Sequence, residues 1–192
     1  MGLLDLIVES GIADAIEGKL SDLKGNQGAV AETIENNVRS KIIKEHLNDP
    51  AFFDKMSALL DEVINQRKAK AIEYAEYLKQ IAEVVKKVTQ GQSANQSADL
   101  DTPGKVAIFN NLQVQPPSDG LKEDEASYIT KNDQEKIELV SRIDAAIHTS
   151  KKDGWRGNAA KENIITGAMY EVLDDFDEVI RLFDIIKLHN EY

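Results

Sequence analysis

The chain of 192 residues has no cysteine, which removes disulfides, thiolate metal sites and cysteine nucleophiles together. Its longest apolar stretches are a few residues, too short to span a bilayer. The start, Met1-Gly2-Leu3-Leu4-Asp5, lacks the basic residues that open a secretory signal. A cytoplasmic location is the expectation that follows. Basic charge is also scarce: 23 Lys and Arg stand against 34 Asp and Glu, a net charge of -11. Attraction to phosphate scales with the cations presented, so free-standing, tight nucleic-acid binding is disfavoured, although a local basic patch is compatible with the composition. Aromatics make up 6% of the residues and there is one tryptophan. What the chain does have is a 42% hydrophobic content. At this length roughly two thirds of the unfolded surface can be buried, enough for a core without metal or disulfide.

Period-two alternation is hard to find, whereas apolar residues recur at spacings of three and four. The expected fold is therefore all-α, an irregular bundle of about six to eight helices with a long polar loop in the middle. Leu3, Leu4, Ile7, Val8, Ile12 and Ile16 outline a first helix, with Gly11 as a point of breakage. Gly25-Asn26-Gln27-Gly28 reads as a turn. Val30, Ile34, Val38 and Ile42 then fall four apart. Asp49-Pro50 is a helix start, because Asp caps free amides and Pro is pre-set for the first helical position. Phe53, Met56, Leu59, Leu60, Val63 and Ile64 form its apolar stripe. Helix continues or bends at Gln66 to Lys70, and the next stripe runs from Ile72 to Val88 with Tyr74 and Tyr77 on its flanks.

Residues 1–88 thus read as amino-terminal helices. Residues 89–121, rich in Gln, Ser, Asn, Gly and Pro, read as a linker or long loop, interrupted by a short helix capped at Thr102-Pro103 and broken again at Pro116-Pro117-Ser118-Asp119-Gly120. Residues 122–192 read as carboxyl-terminal helices, opening with Asn132 and Glu135 at capping-box spacing. One compact domain overall is expected.

Residue patterns that carry chemistry are few. No glycine loop leads into Lys-Ser/Thr, so nothing marks a phosphate cradle. His46, His148 and His189 are isolated and fit no zinc-binding helix motif. Asp174, Asp175, Asp177 and Glu178 cluster as magnesium ligands would, but acids at a junction before Phe176 and Val179 are also ordinary helix-start residues. Asp22-Leu23-Lys24 has the spacing of a nuclease fragment without the second acid that a shared metal needs. No catalytic residue and no metal ligand is therefore assigned, and the chain alone is not expected to be an enzyme.

Cations fall in groups: Arg67, Lys68 and Lys70; Lys86 and Lys87; Lys151, Lys152, Arg156 and Lys161; with Arg39 apart. Solvated helix faces account for them, and convergence of two groups would instead make a patch for DNA phosphates. The tract Asp153-Gly154-Trp155-Arg156-Gly157-Asn158 departs most from helical grammar. Two readings of it stay open. Trp155 is a core anchor between permissive glycines, or it joins Arg156 on an exposed turn able to grip a partner, phosphate or carboxylate, and both hold if the ring is buried and the arginine is not.

Three segments carry a resemblance: Ala31-Glu32-Thr33-Ile34-Glu35-Asn36-Asn37-Val38-Arg39, the run Phe53 to Ile64, and Tyr74-Ala75-Glu76-Tyr77-Leu78. They resemble the carboxyl-terminal region of type I restriction enzyme R subunits. The Trp155 tract with Lys161-Glu162 and the closing His189-Asn190-Glu191-Tyr192 is similar to the end of the same proteins. The resemblance implies a parent that is an ATP-dependent type I site-specific deoxyribonuclease, using ATP and Mg in nuclease and helicase domains that have no counterpart here. For this chain it implies a helical module without a cofactor of its own. Such a module docks the motor onto the methyltransferase and specificity subunits, with DNA contact through the cationic groups and Trp155 as a further expectation. Two other readings remain beside it: a structural brace for the helicase lobes, and a small-ligand or nucleotide site near Trp155 and the acids from Asp174 to Glu178.

Overall fold

The computed structural model describes residues 1–23, 25–91, 98–113 and 125–192, with backbone alone for 125–132. The fold is all-α. Among the described residues there are nine α-helices and two short 3-10 turns. The contacts group the chain into two compact units where the sequence suggests one domain: Met1–His46 with Pro50–Asn95, and Leu47–Asp49 with Gln96–Tyr192.

The first unit holds α1 (Leu3–Ser10), α2 (Ile12–Lys19), α3 (Gln27–Glu45), α4 (Pro50–Lys68) and α5 (Tyr74–Gln90). Gly11 is the break between α1 and α2. Its φ of 91° lies where side-chain-bearing residues are strained, and its N–H closes on the Ile7 carbonyl at 3.1 Å. That break raises the helix count above the six to eight expected. Asn26 caps α3 through its side chain, which accepts from the Ala29 N–H at 3.1 Å. Gln27 and Gly28 are therefore helical, and the turn expected there ends at Asn26. Val30, Ile34, Val38 and Ile42 face inward as their spacing requires. Helix α4 ends where Lys70 turns left-handed, at φ 53°. Helix α5 then lays Ile81, Val84, Val85 and Val88 against α4 and α1. Tyr77 belongs to that buried stripe and has no exposure, whereas the sequence placed it on the flank. Each such large apolar side chain, fully removed from water, contributes about 1.5–3 kcal/mol.

The second unit holds α6 (Pro103–Asn111), α7 (Glu125–Ser150), α8 (Ala159–Leu173) and α9 (Phe176–Ile186). Thr102 and Pro103 start α6 as expected, the Thr102 hydroxyl accepting from the Lys105 N–H at 3.3 Å. Leu100 and Leu112, on either side of α6, are buried, so the polar stretch contributes to a core instead of only connecting helices. Helix α7 runs through Asn132, which is thus interior to a helix and not its cap. The break at Pro116 to Gly120 lies outside the described residues. Helices α6 and α8 pack on α7, and α9 packs on α6 and α8, around Ile108, Val140, Ile143, Ile147, Ile165 and Met169. Asp49, between α3 and α4, accepts from Asn110 at 2.6 Å and Asn111 at 2.7 Å. No helix among the described residues is long and apolar enough to cross a membrane.

Candidate functional site

Helix α7 stops at Ser150, and the chain must reverse before Asn158 caps α8. Gly154 (φ 62°) and Gly157 (φ 77°) supply the left-handed backbone for that corner. Asn158 accepts from the Lys161 N–H at 3.2 Å and donates its own N–H to the Trp155 carbonyl at 3.0 Å. Glu162 reaches back to the Gly157 N–H at 2.8 Å. The geometry throws Trp155 inward. Its ring is 4% exposed and tilts against Phe183 of α9, centroids 5.7 Å apart.

Arg156 is exposed yet bound through two of its nitrogens. Its guanidinium carbon sits 4.5 Å from the Trp155 ring centroid. Nε donates to the Lys187 carbonyl at 2.9 Å and a terminal nitrogen to the His189 carbonyl at 2.6 Å. These carbonyls follow α9, where acceptors outnumber donors and the helix dipole is negative. Lys161 binds the Asp153 carbonyl at 2.5 Å, and Lys151 binds the Glu191 carbonyl at 3.0 Å. The segment after α9 is thereby clasped. His189 is hydrogen-bonded to the Asn48 carbonyl at 2.8 Å, Tyr192 donates to Asp144 at 2.8 Å, and the Glu191 carboxylate accepts from the Gly104 N–H at the start of α6. Burial, then the neighbouring Asp144 carboxylate, pushes the Tyr192 phenol well above its usual range, so it stays a donor.

Of the cations grouped by sequence, Lys151 and Arg156 thus clasp the segment after α9, Lys161 braces the corner on itself, and Lys152 is exposed beside them. Those of the first unit divide. Arg39 pairs with Asp61 at 2.6 Å on the surface. Arg67 turns inward, its Nε 2.8 Å and a terminal nitrogen 3.1 Å from the two oxygens of buried Glu35. Burial works against the Arg67 charge, but the hydrogen bonds and charge of Glu35 outweigh it and raise its pKa. Tyr77 donates to the same carboxylate at 3.0 Å; burial first and Glu35 second keep it protonated. Lys68, Lys70, Lys86 and Lys87 are exposed. The last two do not converge with Arg67: α5 starts beside the end of α4, and twelve residues of helix from Tyr74 to Lys86 span roughly 18 Å.

The acids from Asp174 to Glu178 are helix-junction residues. Asp174 takes the left-handed position that ends α8, at φ 52°, and Asp175 caps α9 by accepting from the Glu178 N–H at 3.0 Å. Glu178 binds Arg181 at 2.7 Å and the Gln113 N–H at 2.8 Å. Among the described residues no group of three His, Asp or Glu side chains is placed to hold a metal ion. No protein-family model, curated protein or solved structure matches the chain. Sequence reasoning missed Glu35, 32 residues from Arg67, and the carbonyl partners of Arg156, because main-chain acceptors carry no signature in side-chain identity. It also passed over Tyr170, and it read Phe176 and Ile180 into the apolar stripe of the last helix with Val179, Phe183 and Ile186, whereas only the latter three are buried and Tyr170, Phe176 and Ile180 are exposed.

Proposed function

We propose that the chain is a non-catalytic helical assembly module of the kind that ends type I restriction enzyme R subunits, docking an ATP-dependent translocase and endonuclease onto a methyltransferase and specificity core in the cytoplasm. The observation that supports this most is the clasp. A small-ligand site would leave the indole face or the guanidinium fork open, but Trp155 is buried and Arg156 is bound to two carbonyls. The tract most distinctive in sequence therefore shapes a rigid unit, as a docking module requires. The same bonds favour a bracing contribution to the parent protein as the second reading. DNA contact in this proposal falls to Lys68, Lys70, Lys86, Lys87 and Lys152, whose side chains face solvent. Against so acidic a chain they add a weak, salt-sensitive, sequence-independent contact.

The test is sedimentation of the purified chain with a purified methyltransferase and specificity complex. Co-sedimentation, and no ATP or DNA hydrolysis by the chain alone, is the expected result. Hydrolysis by the chain, or failure to associate, would overturn the docking reading.

A further inference from the structure

Helices α8 and α9 run antiparallel, joined only by Asp174 and Asp175, and Lys187 meets Glu162 across them at 3.7 Å. That pair identifies the side of α9 that borders α8. Phe176, Ile180, Phe183 and Lys187 follow at steps of four, three and four residues, about three turns in all, so they share that side, on which Phe183 is buried and Phe176 and Ile180 are not. Tyr170 lies on α8 one turn before the connection, level with this stretch of α9. The three side chains are 43%, 62% and 40% exposed for Tyr170, Phe176 and Ile180, although Phe183 on the same helix is buried. Nothing in helix formation requires Phe or Ile at these exposed positions, and large apolar side chains left exposed within a few residues of one helix junction mark a contact surface.

The surroundings decide what can cover it. Glu171, Asp174, Asp177 and Asp184 are exposed around the row. The nearby cations are occupied elsewhere: Arg181 is turned to Glu178 and the Asn111 carbonyl, and Lys187 lies between Glu162 and Asp184. An acidic rim repels DNA phosphates and anionic lipid. It repels a second copy too, since a two-fold contact would set the rim against itself in a chain of net charge -11. We infer that the Tyr170–Phe176–Ile180 seam is a docking surface for a partner protein that presents an apolar centre ringed by Lys and Arg. The docking reading above supplies only the identity of that partner; the seam's chemistry stands on these residues.

Phe176→Ser with Ile180→Ser removes the apolar row, and Asp177→Asn with Asp184→Asn thins the rim. Neither pair touches the buried core, and circular dichroism checks that each variant folds. Two probes are used with the full chain: the methyltransferase and specificity complex, and a synthetic amphipathic helix with a Leu stripe flanked by Lys, with a Glu-flanked version as control. Expected are binding of the Lys-flanked peptide alone, weakened about tenfold or more by the serine pair, and a smaller salt dependence in the asparagine pair. If the complex binds the wild type and both pairs equally, the seam is overturned while docking stands. If the complex fails to bind but the peptide binds at the seam, docking falls and the seam stands. Peptide binding indifferent to the serine pair, or wild-type dimerisation abolished by it, overturns the seam.

Discussion

The two units reach stability by different means. In the first, helical stripes from α1 to α5 interlock around aliphatic side chains, and one charged group, Glu35 with Arg67 and Tyr77, is set among them. In the second, the core is also apolar, but its end is fastened by side chains that reach main-chain carbonyls and amides: Arg156, Lys151, Glu191 and His189. The contrast teaches where polar residues go in a chain this charged. One unit buries a charge pair and must satisfy it completely. The other also buries carboxylates, Glu178 beside Arg181 and Asp49 beside Asn110 and Asn111, and in addition uses cations to terminate a helix, a task for which the water-facing half of the guanidinium need not be buried.

The largest break in that contrast is expected from Trp155→Ala. It should cost the second unit about 3–5 kcal/mol, the range for deleting a buried ring, and leave amide protection in α3 to α5 unchanged; hydrogen exchange followed residue by residue measures both. Glu35→Ala does the converse. It strands Arg67 in a largely buried site and should destabilise the first unit by about 3 kcal/mol, with Glu35→Gln recovering part through its remaining acceptor; denaturant unfolding is the measurement. Arg156→Ala should cost about 0.5–1.5 kcal/mol, because water can take the guanidinium's place at the exposed Lys187 carbonyl and less readily at the half-buried His189 carbonyl. Arg156→Lys should recover less than half of that, because a single ammonium does not span both acceptors.

The smallest effect concerns pH. Tyr77 and Tyr192 both have pKa values raised above the usual 10.0. A raised pKa means the folded chain holds its proton longer than the unfolded one. The stability these groups contribute is thus complete below pH 10 and is lost as the pH climbs above it. Tyr192→Phe should flatten that alkaline loss in the second unit and Tyr77→Phe in the first, read from unfolding curves at rising pH. Equal flattening of both units by either substitution would show that the two do not unfold separately.

What was legible beforehand follows the same division. Val30, Ile34, Val38 and Ile42 could be placed from spacing, because a stripe four apart has one way to meet a core. Gly11 and the Thr102-Pro103 start were legible because each is a local device whose partners lie within four residues. Glu35 was not, since a carboxylate on a helix looks the same whether it faces water or Arg67. Arg156 was recognised as unusual, yet its exposure alone would have suggested an open site. Only the carbonyls of Lys187 and His189, 31 and 33 residues on, show that it is occupied.

Glu191 closing on the first turn of α6 also sets an order of events during synthesis. The buried side chains of the first unit run from Leu4 to Val88, so that core is complete as soon as Val88 has left the ribosome. Thr102 caps α6 locally, but the further bond to its first turn, from Glu191, comes roughly a hundred residues after Val88, which at about 5–20 residues per second is a delay of roughly 5–20 s. Over that interval Leu100, Ile108 and Leu112 emerge without the helices that cover them, and a nascent chain arrested there would present that apolar strip to chaperones.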